Sequence, residues 1–271
     1  MSGRRPAPRR SRPAHQPRPA PPRSDARGAP AAGVSLARAL SKLGLCSRSQ
    51  AARLVAEGRV RVDGRVERDA TRRVDMARAR LTVDDAPVLA ERRRYLMLNK
   101  PRGLVTTRDD PQGRATIYGC LDDPSLPFVS PVGRLDRASE GLLLLTNDTR
   151  WAQRLLDPAS HVDKVYHVQV DRVPDDGLAA AMRAGVEAED GRLAAKDARV
   201  LRAGTRHGWL EVVLDEGRNR HIRRLLAALD VEVLRLVRVA IGPLHLGDLA
   251  KGAWRELTER EREELSVERG T

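Results

Sequence analysis

The sequence predicts an α+β fold in which a small helix–helix–hairpin unit precedes a larger, sheet-centred domain. Three observations predict it. Leucines recur at helical spacing around residue 40, and an Asp-Gly pair flanked by alternating valines follows them. From Tyr95 onward, short apolar runs bounded by turn residues replace the helical period. Strands and helices do not alternate with the regularity of a doubly wound sheet. A chain of 271 residues has room for one or two cores. Hydrophobic residues make up 41% and aromatics 3%, with one Phe at 128, so the core is expected to be mostly Leu, Val and Ala.

The elements follow in order. Residues 1–33 are rich in Pro, Arg and Ala without hydrophobic periodicity, and are read as a disordered basic tail. Ser35 can cap a helix with Leu36, Leu40 and Leu43 on one face and Arg38 and Lys42 on another, ended by Gly44. Ser47 and Gln50 stand at capping-box spacing before a second helix with Ala51, Leu54 and Val55 inside, closed by Gly58. Val60 to Val66 alternates around Asp63-Gly64 as a hairpin. Residues 81–94 read as a linker ending in three arginines. Beyond it, Tyr95–Leu98 and Leu142–Leu145 read as buried strands, Trp151–Leu156 as a helical turn, Val162–Val170 as an alternating strand and Asp175–Arg183 as a helix. Leu210–Leu214 reads as a strand and Ile222–Leu229 as a helix, with strands through Val237 and Ile241. Glu256–Glu264 reads as a surface helix or frayed end.

The charge is unevenly placed. The net charge is +13; residues 1–33 carry eight Arg against one Asp, and residues 34–80 twelve Lys/Arg against five Asp/Glu. The rest of the chain is close to neutral. A basic front on a neutral body suggests a polyanion grip attached to something else. No apolar run approaches the roughly 18 residues of a membrane span, and no apolar segment opens the chain, so neither a membrane partner nor a secretory signal is expected. Cys46 and Cys120 form no CxxC pair, which favours a reducing, cytoplasmic setting.

No phosphate-binding glycine loop, no GxGxxG after a strand and no metal-spaced His/Cys group is present. Any chemistry is therefore expected to run on protein side chains, without cofactor or metal. The densest polar loop beside a buried strand is Gly133-Arg134-Leu135-Asp136-Arg137-Ala138-Ser139-Glu140-Gly141. By residue type alone, Asp136 reads as a turn or cap residue, Tyr166 as a sheet residue and Arg223 as a solvated helix residue.

Two resemblances change that reading. Arg38, Gly44, Ser47-Arg48, Ala51, Leu54, Gly58 and the Val60/Val62/Gly64 hairpin resemble the S4 RNA-binding domain. This implies that the helical face bearing Arg38, Lys42 and Arg48 meets an RNA backbone. The run GRLDRASEGLLLLTND resembles the signature of the ribosomal RNA pseudouridine synthases of the RsuA/RluB branch. Leu98-Asn99-Lys100-Pro101-x-Gly103, Lys164-Val165-Tyr166, Glu216 to Arg224 and Leu236 to Leu244 resemble its other motifs, in order. The resemblance covers about residues 35 to 257. His221 departs from the Gln of many members, and Ala138 from a polar residue.

The resemblance implies an S4 domain with linker at 34–92 and a catalytic domain at 93–271 built on a mixed, largely antiparallel sheet with flanking helices. It implies that uridine in ribosomal RNA, or in a ribosomal subunit precursor, is isomerised by a monomer. Large-subunit RNA is the preferred substrate and small-subunit RNA the alternative. Asp136 would be the catalytic carboxylate, as nucleophile or base. Arg223 would pair with it, and Tyr166 would stack on the target base. Leu236 would wall the pocket, Lys164 support it and Arg134 contact RNA. Asn99-Lys100-Pro101 is read as structural, with a place in the lining of the site as the alternative. The rival readings are a non-catalytic ribosome assembly factor and an N-glycosidase; the latter usually needs two carboxylates where the motifs offer one.

Overall fold

The computed structural model describes residues 33–189 and 191–266. The predicted disordered tail falls, but for Gly33, outside the described residues. Strand β1 (Val34–Ser35) leads into helix α1 (Leu36–Lys42), and helix α2 (Arg48–Ala56) follows the turn at Gly44. The leucine spacing does what it predicts: Leu36 and Leu40 are buried and Leu43 packs on the same cluster. Ser35 stands at the N-cap but its side chain makes no capping bond. Ser47 does: its hydroxyl accepts from Gln50 N, and the Gln50 side chain accepts from Ser47 N, closing the expected capping box.

Strands β2 (Val60–Val62) and β3 (Arg65–Glu67) form the expected hairpin, with Asp63 and Gly64 at φ +51° and +81°. Strand β4 (Arg73–Val74) pairs with β1. The linker expected at 81–94 is shorter than the sequence reading had it. Strands β5 (Leu81–Val83) and β6 (Ala86–Pro87) make a second hairpin that extends the first, in the order β3-β2-β5-β6. Its turn is Asp84-Asp85, both at positive φ. Aspartate tolerates that conformation, so an Asp pair makes here the turn that Asp-Gly makes more visibly. Residues 88–94 provide the connection.

The second part is a nine-stranded sheet. Its members are β7 (Tyr95–Lys100), β8 (Ser130–Val132), β9 (Glu140–Thr146), β10 (Lys164–Val170), β11 (Asp197–Ala203), β12 (Gly208–Leu214), β13 (Val233–Ile241), β14 (Leu244–His245) and β15 (Trp254–Glu256). The order is β11-β12-β10-β13-β9-β7-β15, with β8 on β9 and β14 on β13. Every pairing is antiparallel except β9 with β13. Helices α3 (Thr149–Leu156), α4 (Asp176–Ala184), α5 (His221–Ala227) and α6 (Glu259–Glu264) flank it. Strands β8, β11, β14 and β15 have no counterpart in the sequence reading.

Leu142 to Leu145 are all 1% exposed or less, because β9 is buried on both faces. Leu142 and Leu144 enter one core and Leu143 and Leu145 another, as the two-residue period of a strand requires. A third core forms where Val168, Val170, Leu210, Val212 and Leu236 meet Met182, Ile222 and Leu225 of the helices, with Tyr166 packed at its margin. The connection is fixed to the N-terminal part by a bond from Glu91 N to Leu43 O (3.0 Å), and the second part by one from Phe128 N to Gly44 O (3.1 Å). No helix among the described residues is long and apolar enough to cross a membrane.

Candidate active site

Strand β9 is the wall on which the site is built. The loop 133–139 enters it after a turn in which Ser139 N donates to Asp136 O (3.0 Å). Leu135, 6% exposed, anchors the loop in the core, and Thr106 Oγ1 donates to its carbonyl (2.7 Å). Beneath the loop lies Lys100, with no exposed surface. Its ammonium donates to the carbonyls of Pro101 (3.1 Å), Asp136 (3.2 Å) and Ser139 (2.8 Å). Burial pushes its pKa down to about 8, against the pull of Asp136 and Glu140. Behind the loop, Gly141 at φ +100° lies so close to β13 that a Cβ would stand 2.2 Å from Arg238 O.

The loop forms one side of a cleft of about 540 Å³, closed by β10, β13 and the segment 214–222. Asp136, Arg134, Lys164, Tyr166 and Leu236 all line it, so residues predicted from three separate motifs meet in one place. Asp136 is half-buried. Tyr166 lies opposite Arg238 on β13, and Leu236 opposite Val168. Lys164 Nζ donates to Asp215 O (3.0 Å); burial, and then the charge of Arg238, lower its pKa.

Arg223 stands differently from expectation. It does not line the cleft and makes no ion pair with Asp136. Its Nη1 donates to Val233 O (3.1 Å) and its Nη2 to Ala138 O (3.3 Å), while Nε is buried without a partner. Backbone carbonyls within reach take the donors that the sequence reading assigned to the carboxylate. The guanidinium still feels the charge of Asp136, which opposes the lowering of its pKa by burial. It thus supports the loop bearing Asp136 through Ala138, whose departure from the family pattern concerns the side chain and leaves this carbonyl in place. Arg38 and Arg48 are exposed and Lys42 half-buried on α1 and α2, away from the cleft lining. A larger hollow of about 690 Å³, between α2 and the segment 118–129, holds none of the predicted catalytic residues.

Residues 94–228 match the family model for RNA pseudouridylate synthase, and residues 34–77 match the S4 domain. An uncharacterized RNA pseudouridine synthase of Aquifex aeolicus is 40% identical over 234 residues, 86% of this chain and 93% of the relative. The chain belongs to the RNA pseudouridylate synthase family. Among its relatives, a ribosomal large subunit pseudouridine synthase B of Pseudomonas aeruginosa is 39% identical over 245 residues, 88% of this chain and 63% of that longer protein. The crystal structure of a pseudouridylate synthase superposes with a TM-score of 0.61 at 30% identity, over 86% of this chain and 99% of that one.

Three polar side chains outside the predicted site residues stand around the cleft. Lys100, read from the sequence as structural or as lining the site, is not on its catalytic list; the signal that points to it is a lysine ending an apolar strand. Arg238, 6% exposed, lines the cleft from β13. His221, 3% exposed, also lines it, with Nδ1 3.2 Å from a Glu216 carboxylate oxygen and a pKa lowered by burial. No group of three or more His, Cys, Asp or Glu among the described residues could hold a metal ion.

Proposed function

We propose that this chain isomerises a uridine of large-subunit ribosomal RNA to pseudouridine, with Asp136 as its catalytic carboxylate. The observation that carries this reading is the convergence of Asp136, Tyr166, Lys164 and Leu236 on one cleft. A uridine inside folded RNA is out of reach until it is flipped from its stack, at a cost of a few kcal/mol. The aromatic face of Tyr166 and the apolar side chain of Leu236 offer the extruded base a new stack. Asp136 then meets the sugar or ring, as nucleophile or as base. The N1–C1′ bond breaks, the base turns, and a C5–C1′ bond forms while a proton leaves C5 and N1 gains one. Substrate and product are isomers, so the reaction calls for no cofactor.

Residues 34–92 serve as the RNA grip and residues 93–271 as the catalytic domain. Arg38, Lys42 and Arg48 hold phosphates, and Arg134 meets RNA at the cleft mouth. Arg223 acts on the reaction through the loop of Asp136. The large-subunit assignment draws on the synthase B relatives, and with it goes a cytoplasmic monomer acting on the ribosomal subunit precursor.

The test is to map pseudouridine in both ribosomal RNAs of a strain lacking the gene, complemented with the wild type or with Asp136→Ala. One large-subunit site is expected to vanish with the gene and return with the wild type alone. Its return with Asp136→Ala would sink the catalytic assignment, and a vanishing site in small-subunit RNA would move the substrate.

A further inference from the structure

Arg238 is a buried cation whose charge no protein group answers. Its Nε donates to Leu142 O (2.7 Å), but Nη2 is buried without a partner, and it has no ion pair with any described carboxylate. A second cation lines the same cleft from the neighbouring strand: the charge of Arg238 helps to depress the Lys164 pKa, while the carboxylates of Asp215 and Asp163 pull it up. Lys164 also spends a hydrogen bond on a carbonyl, that of Asp215. The acids that line the same cleft are engaged elsewhere, Asp157 by accepting from Ala159 N (3.0 Å). Glu216 pairs with Arg218 (3.2 Å) and lies beside His221, and Asp215 lies 3.5 Å from His161. Asp136 is the acid of the proposed reaction.

A guanidinium taken out of water without a counter-ion is costly. A tie between β9 and β13 does not require it, since the backbone of Gly141 already packs against that of Arg238. A group that enters with the substrate would balance the charge, and the substrate of an RNA-directed enzyme brings phosphodiesters. We propose that Arg238, with Lys164, forms a phosphate subsite that holds a phosphodiester flanking the target uridine. The subsite rests on the functional reading above and adds to it a specific anchor for the flipped nucleotide. Tyr166 lies directly across from Arg238 in the register, so base and phosphate would be held within one nucleotide of each other. A guanidinium fork suits this role, because it can give two parallel hydrogen bonds to two phosphate oxygens.

The test uses the full chain and a stem–loop RNA carrying the uridine mapped as above. A single uncharged methylphosphonate replaces the phosphate on its 5′ or its 3′ side. Binding and single-turnover isomerisation are measured for the wild type, Arg238→Met and Lys164→Met, with thermal melting as the control for folding. One of the two neutral linkages is expected to weaken wild-type binding by about tenfold to a hundredfold, the range of a charge-assisted hydrogen bond. On Arg238→Met the same linkage is expected to have less than about a twofold effect, because its partner is gone, and the slope of log affinity against log salt falls by about 0.7 to 0.9. Arg238→Lys keeps the charge without the fork and should stay sensitive to the linkage; it carries the test if Arg238→Met does not fold. Additive losses from linkage and variant, or wild-type binding that ignores both linkages, would overturn the subsite while isomerisation of the unmodified RNA leaves the functional reading standing. Absence of isomerisation by the wild type would overturn that reading and the subsite with it.

Discussion

Lys100 is the residue whose role changed most between sequence and structure. As the last residue of an apolar strand before Pro101 it looked like the start of a turn. In the fold its ammonium holds the carbonyls of Asp136 and Ser139, the two residues that close the turn carrying the candidate carboxylate. Its charge is expensive there, and the pKa of about 8 reflects burial. The unfolded side chain titrates near its ordinary 10.5, so burial works against the fold at neutral pH and ceases to do so once both states are neutral. Replacing Lys100 with Met removes that cost together with the loop's anchor. We expect Lys100→Met to lose at least about tenfold in single-turnover rate, the scale of a charge-assisted hydrogen bond, while melting near pH 7 falls little. The wild type should gain stability relative to the variant as pH rises from about 8 to 10.5. An unchanged rate, with melting lowered at every pH, would show that Lys100 serves folding alone.

Among the elements, β9 does the most. It is an interior strand paired with β7, β8 and β13, the wall behind the Asp136 loop and, with Gly141, the strand that runs parallel to β13. Gly141 is required for two reasons at once: its φ is +100°, and a Cβ would press on Arg238 O at 2.2 Å and on Arg238 N at 2.8 Å. Gly141→Ala should therefore cost more than about 3 kcal/mol, combining backbone strain with overpacking. Urea denaturation reads this directly; an unchanged midpoint would mean that β9 and β13 can separate without loss. Elements of this kind were legible because burial on both faces leaves an uninterrupted apolar run. Edge elements were not. Strand β11 keeps Asp197, Arg199 and Arg202 exposed along a mostly solvated edge, and β15 is three residues long, so neither carries an apolar period. The β5–β6 hairpin was hidden by its Asp-Asp turn.

For the whole molecule, a basic helical part and a cleft on a sheet divide the work. Arg38, Lys42 and Arg48 have no ion pair with described residues, which leaves their charge for a polyanion. Replacing all three with Gln should weaken RNA binding and reduce the salt slope by about 2 to 3, as three lost phosphate contacts would. Single-turnover rate at saturating RNA and the melting temperature should hold, since the cleft and the core are untouched. A loss of rate at saturation with an unchanged salt slope would refute this division.

By itself the sequence determined the Ser47 capping box, the Asp63-Gly64 hairpin, the doubly buried strand and, through resemblance, the family and five of the residues that line the cleft. These are local matters: a cap, a turn or a run depends on a few neighbouring residues. Only the tertiary structure decided where the donors go. Lys100 reaches a carbonyl 36 residues ahead and Arg223 one 85 residues back, so Arg223 supports the Asp136 loop by its backbone and leaves the carboxylate without that ion pair. It also decided that Arg238 reaches the cleft beside Lys164 without an ion pair among the described residues. Such partnerships are set by which groups packing leaves within 3 Å of each other, and spacing along the chain carries no record of that distance.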